Sequence, residues 1–196
     1  MDRATFYYDL GSPYAYLSAE RISGLFAEAE LEQPEWQPVL LGGLFHRFDR
    51  GSWGETDARA EGMAECERRA AEYGLPPIAW PKPWPGNGLV AMRAATFAKQ
   101  TGRAVSFSLA AFRQAFAAGR DLTDIDNVMI AGAACEIHPR ALMKAVETQT
   151  VKGALREATD RAGDLGVEGV PSVVVDGEVF WGDDRLEEAV EAAARS

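Results

Sequence analysis

Phe6-Tyr7-Tyr8-Asp9-Leu10-Gly11-Ser12-Pro13-Tyr14-Ala15-Tyr16-Leu17 is the stretch on which the reading of this chain turns. Apolar, β-favouring residues run into a glycine turn, and Ser12-Pro13 then opens a helix. Serine is a favoured N-cap, and proline suits a first helical position whose N–H would be unpaired anyway. A hydroxyl, the free N–H groups of a first turn and the positive end of a helix dipole therefore converge on one point. Such a point suits an anion, a thiolate among them. Across Pro13–Glu30, Ala15, Ser18, Ala19, Ile22, Leu25, Phe26 and Ala29 recur at the spacing of one buried face. With strands over Thr5–Leu10 and Trp36–Leu41, the N-terminal segment reads as βαβ with a parallel pair.

The other end of the chain answers it. Val151, Leu155, Ala158, Ala162 and Leu165 mark a helix stopping at Gly166. Gly169-Val170-Pro171 then leads into Ser172–Val175, and Asp176-Gly177 signals a two-residue hairpin to Glu178–Trp181. Asp184 with Glu187 resembles a capping pair for a last helix that turns Leu186, Val190 and Ala193 inward. Between the two ends the chain is helical and broken by loops. A helix over about 56–73 ends at Gly74, and the five prolines of 75–86 exclude regular structure there. Asn87 or Gly88 starts the next, which stops at Gly102. Val105, Leu109, Phe112 and Phe116 line another that stops at Gly119. Asp124 can cap a further one with Val128, Ala131 and Cys135 inward, and Pro139 starts the last. The expected order is βαβ, a helical insertion, then αββα. Residues 1–54 and 149–196 form one α/β domain, with 55–148 as the inserted all-helical domain.

Composition bounds the function. The 196 residues are 47% hydrophobic and 26% charged, as in a globular chain with a core. A net charge of −10 argues against nucleic acid or an anionic membrane as partner. No apolar run approaches the roughly 18 residues that would span a bilayer. The N-terminus passes directly into a strand pattern, so a cytoplasmic protein without a signal peptide is expected. Cys66 and Cys135 belong to no CxxC and no metal spacing, and read as free thiols in a reducing compartment; no metal site is expected from them or from His46 and His138.

Tyr7 to Leu17, together with Gly169-Val170-Pro171, Val173–Glu178 and Phe180-Trp181-Gly182-Asp183-Asp184-Arg185-Leu186, resembles the two ends of the 2-hydroxychromene-2-carboxylate isomerases and the related kappa-class glutathione transferases. Both are DsbA-like thioredoxin folds, so the resemblance implies a thioredoxin-like fold with the helical domain inserted. Ala15 stands where a redox motif has its second cysteine, which leaves no dithiol chemistry at this site.

The resemblance implies that Ser12 hydrogen-bonds the sulfur of bound glutathione, or of another low-molecular-weight thiol, and favours its thiolate. Read without it, Ser12 is an N-cap; the two roles are compatible. The resemblance further implies a cis Pro171, with Val170 offering its backbone to the cysteinyl part. Trp181, Gly182, Asp183 and Asp184 would take the γ-glutamyl end; helix capping accounts for the same aspartates. On the acceptor side the family carries a lysine and an asparagine after the second strand. The corresponding Phe45–Trp53 has neither, and Arg50 or Arg47 could bind a carboxylate instead. Arg50, Trp84 and Asn87 are the candidate substrate contacts, with Trp53, Trp80 and Trp84 able to wall an aromatic pocket. Three functions remain open: a thiol-dependent isomerase adding a thiolate reversibly to a conjugated aromatic ene-pyruvate, a transferase acting on another small electrophile, or a non-catalytic thiol-binding module. A homodimer is expected.

Overall fold

The computed structural model describes residues 4–196. Four strands, β1 (Thr5–Tyr8), β2 (Glu35–Pro38), β3 (Ser172–Val175) and β4 (Glu178–Trp181), form one sheet in the order β2-β1-β3-β4. β1 pairs parallel with β2, and β3 antiparallel with both β1 and β4. Strand periodicity then divides the side chains. Phe6, Tyr8, Val173 and Val175 face one side, and Tyr7 and Val174 the other. The hairpin turn has Asp176 at φ 46° and Gly177 at φ 85°, the double left-handed geometry that its Asp-Gly dipeptide favours.

The helices are α1 (Pro13–Glu28), α2 (Leu41–Arg47), α3 (Arg59–Glu72), α4 (Leu89–Gln100), α5 (Ala104–Phe112), α6 (Ile125–Ala134), α7 (Pro139–Ala145), α8 (Gln149–Asp164) and α9 (Leu186–Arg195). α1, α4, α5 and α9 cover the Phe6/Tyr8 face, with Phe26, Met92, Phe112 and Ala189 all in its cluster. α2 and α8 cover the Tyr7 face through Leu44, Ala158 and Ala162.

Three expectations are corrected. The second strand ends at Pro38, and Leu41 instead begins α2. Two glycines mask this helix in the sequence, and its start is held from afar: Leu40 N–H donates to Thr159 Oγ1 (3.0 Å) and Leu41 N–H to Asp9 Oδ2 (2.9 Å). In α5 the inward face is Phe107, Ser108, Ala111 and Phe112, while Val105 is exposed. A π-helical turn over Arg113–Ala117 extends it and shifts the period, keeping Ala115 and Phe116 buried. At the C-terminal helix no Asp184–Glu187 cap forms. A 3-10 turn, Asp183–Arg185, precedes α9, whose buried residues are Leu186, Ala189 and Ala192, with Val190 and Ala193 half-buried beside them.

Candidate active site

The β1–α1 turn forms the floor of a cavity of about 870 Å³. Ser12 is buried and caps α1: its Oγ accepts from Ala15 N–H at 3.2 Å. As a donor the hydroxyl has Val170 O, 3.5 Å away and at the outer limit of a hydrogen bond. Val170-Pro171 is cis, and Pro171 O accepts from Gly182 N–H at 2.9 Å. Ser12, Val170, Pro171, Trp181, Gly182, Asp183 and Asp184, drawn from segments far apart in sequence, thus border one hollow.

The two aspartates differ sharply. Asp183 is buried, its carboxylate accepting from Arg69 Nη1 and Tyr73 Oη, both at 2.7 Å. Burial raises its pKa; Tyr73 and Arg69 pull it back and neighbouring Asp184 adds to the rise. Tyr73 in turn is pushed up to about 12, by its own burial and then by Asp183. Asp184 keeps its side chain 59% exposed, 3.5 Å from Arg69 Nη1. Gly182 makes this possible. Its φ of 123° would strain any other residue, and a Cβ there would strike Asp184 Oδ1.

Arg50 borders the cavity but is engaged, ion-paired with Glu168 and lying 4.9 Å above the Trp181 ring. Trp181 lies flat enough on Gly169 that a Cβ there would come within 2.6 Å of its indole. Trp84 is buried and donates its N–H to Gly11 O at 3.1 Å, which fixes it beside the Ser12 turn. Asn87 lines the rim, and its Oδ1 accepts Leu89 N–H at 3.1 Å at the start of α4. Arg47 lies elsewhere, bonded to Asp160 O and Asp164 on α8.

Two residues of this site escaped the sequence reading. Asp9 is buried in the cavity wall, and its carboxylate joins the β1–α1 turn to α2 by accepting Gly11 N–H (2.8 Å) and Leu41 N–H (2.9 Å). An aspartate two residues before a turn glycine is an Asx-turn signal that was available. Arg69 sits in a charge-rich run of α3 that reads as a solvated face, so nothing local marks it. Neither cysteine belongs to the reaction point. Cys66 is buried, its thiol pushed up to about 12 chiefly by burial; burial also raises Cys135. Among the described residues no His/Cys/Asp/Glu group could hold a metal, and no helix is long and apolar enough to cross a membrane.

A parallel βαβ unit joined to a β-hairpin and closing helix, with the β1–α1 turn facing a cis-proline, defines a thioredoxin-fold protein with serine at the helix start. The chain belongs to the DSBA-like thioredoxin domain family, whose profile matches residues 4–194. It is 27% identical over 187 residues to the 2-hydroxychromene-2-carboxylate isomerase of Sphingobium xenophagum, covering 93% of each chain. A solved 2-hydroxychromene-2-carboxylate isomerase superimposes with a TM-score of 0.88 at 20% identity, over 99% of this chain and 95% of that one. A probable DsbA oxidoreductase from Streptomyces coelicolor gives 0.75 at 18% identity, over 97% and 89%.

Proposed function

We propose that the protein is a glutathione-dependent isomerase of the 2-hydroxychromene-2-carboxylate type, acting on a conjugated aromatic ene-pyruvate. When bound, glutathione would supply a thiolate that adds to the conjugated system and later leaves, so that a double bond is single long enough to rotate. The observation that carries the reading is the state of the Ser12 hydroxyl. Its oxygen accepts from Ala15 N–H, while as a donor it has only the long 3.5 Å contact with Val170 O. An anionic sulfur in the cavity is a stronger acceptor and would displace that contact at little cost.

The surrounding residues fit the rest of the tripeptide. Asp184, exposed and uncommitted to capping, suits the γ-glutamyl ammonium, and the Val170 backbone suits the cysteinyl unit. Asp183 would act behind Asp184, since its own carboxylate is spent on Arg69 and Tyr73. Trp84 offers a flat apolar wall beside Ser12 for the aromatic acceptor. Arg50 could take the carboxylate by exchanging Glu168 for it, with Asn87 at the rim. The chain's own thiols are poor substitutes, Cys66 being buried and strongly protonated.

Ser12→Ala tests the reading. Losing one charge-assisted hydrogen bond is worth about 1.5–3 kcal/mol, or roughly one to two powers of ten in rate. The variant should also show a higher apparent pKa for bound glutathione by ultraviolet titration of the thiolate. An unchanged pKa would reduce Ser12 to a helix cap.

A further inference from the structure

Tyr14 and Trp53 each border two hollows. On one side is the cavity of about 870 Å³ that contains Ser12. On the other is an open groove of about 490 Å³ along α3, bounded by Ala58, Glu61, Gly62, Glu65 and Arg68. The partition between them is therefore made of these two rings, which meet edge to face at 6.0 Å.

Their anchoring differs. Tyr14 belongs to α1, directly after the Ser12-Pro13 start, so its backbone is fixed by that helix. Trp53 opens a short 3-10 turn, Trp53–Glu55, and its indole is held by packing: against Tyr14, against Trp84 at 5.0 Å, and into a slot on α3. Gly62 makes that slot, since a Cβ there would run into the indole ring. Gly54 similarly lets Trp84 and Pro85 close in, a Cβ there meeting Pro85 Cγ at 2.6 Å. Trp80 and Trp84 donate their N–H groups to Glu67 and Gly11, whereas the Trp53 N–H has no protein acceptor among the described residues. The Trp53 indole thus fills space without itself bonding to the backbone among the described residues.

We propose that Trp53 is a specificity-determining residue that closes the wall between the Ser12 cavity and the α3 groove, limiting the acceptor to what the cavity alone holds. The inference rests on the thiol reading above. Without the indole the two hollows become one trough leading out between α1 and α3. Its outer part carries Glu61 and the Arg68–Glu65 ion pair, so the added length would suit an uncharged ring and not a second carboxylate.

S-substituted glutathiones place an acceptor surrogate on the sulfur and can be compared by calorimetry without turnover. The set is glutathione, S-benzylglutathione and S-(biphenylmethyl)glutathione, on wild type, Trp53→Phe and Trp53→Ala. Wild type should bind the biphenylmethyl compound at least about tenfold more weakly than the benzyl one. Trp53→Ala should close most of that gap and Trp53→Phe part of it, with glutathione itself bound alike by all three. A gap of the same size in Trp53→Ala and Trp53→Phe, or none in wild type, overturns the partition. Failure of wild type to bind glutathione at all removes the thiol reading and the partition with it.

Discussion

Asp9 is buried beside Ser12 with no cation paired to it among the described residues, and two backbone N–H donors face its carboxylate. Such bonds to an ionised acceptor contribute about 1.5–3 kcal/mol each, yet burial outweighs them and the Asp9 pKa is raised. The folded chain consequently retains a proton that the unfolded chain releases near pH ~3.9. Stability must then fall as pH rises from that value through the higher folded one, because the native state binds more protons in that window. Asp9→Asn cannot titrate. The stability of wild type minus that of Asp9→Asn should therefore decline as pH rises from about 4, and level off once the folded carboxyl is ionised. Urea denaturation across pH reads this directly, and a difference that stays flat or grows would contradict it. Asp9 also marks how far single residues are legible. Ser12-Pro13 is readable because a cap is local chemistry, and the Asx turn of Asp9 to Gly11 is local too. The bond to Leu41 spans 32 positions and leaves no trace in the sequence.

Between elements, one ion cluster fixes the segment that carries Asp184. Arg69 of α3 grips Asp183 at 2.7 Å, Tyr73 adds its hydroxyl, and Arg21 of α1 reaches the Asp183 carbonyl at 3.0 Å while pairing with Glu187. The Asp183 side chain is 2% exposed and that of Arg69 21%, so this pair is sheltered from solvent screening. Removing one partner of a buried pair leaves an uncompensated charge, at a cost of about 3–5 kcal/mol. Arg69→Met should lose stability on that scale, and adding Asp183→Asn should recover much of it, read as a midpoint shift at constant m-value. A loss below about 1 kcal/mol for Arg69→Met would place the pair with ordinary surface bridges. Elements were legible where their signals are local. The Asp176-Gly177 hairpin and the helix ends at Gly74, Gly102, Gly119 and Gly166 all carry positive φ at the glycine the sequence marks. α2 was not legible, since its start depends on Asp9 and Thr159. The π turn after α5 was likewise hidden, because one extra residue per turn displaces a hydrophobic face without changing its composition.

At the scale of the molecule, a division at 54 and 148 has to be weighed against where the sheet buries its aromatic face. Phe6, Tyr8 and Val173 share one uninterrupted cluster with Met92, Phe107, Phe112 and Phe116. The join is polar as well as apolar. Tyr8 Oη meets Ser108 Oγ at 2.6 Å, Leu10 N–H donates to Met92 Sδ at 3.2 Å, and the Trp84 N–H holds Gly11 O. Without α4 and α5, the fully buried rings of Phe6 and Tyr8 would face water, at about 1.5–3 kcal/mol for each such side chain. The helical segment has the converse problem, since Phe112 completes its packing only against Tyr8 and Tyr16. The two parts should therefore unfold as one cooperative unit, although the sequence divides into them cleanly. Far-UV circular dichroism follows mainly the helices, and Trp36, buried in β2, can be made the sole tryptophan, and its emission selectively excited, by replacing the other four with phenylalanine. Urea transitions of that variant by the two probes should superimpose, and residues 55–148 expressed alone should lack cooperative unfolding. Two separated midpoints, or a cooperative transition in the isolated segment, would instead establish the insertion as a domain with its own core.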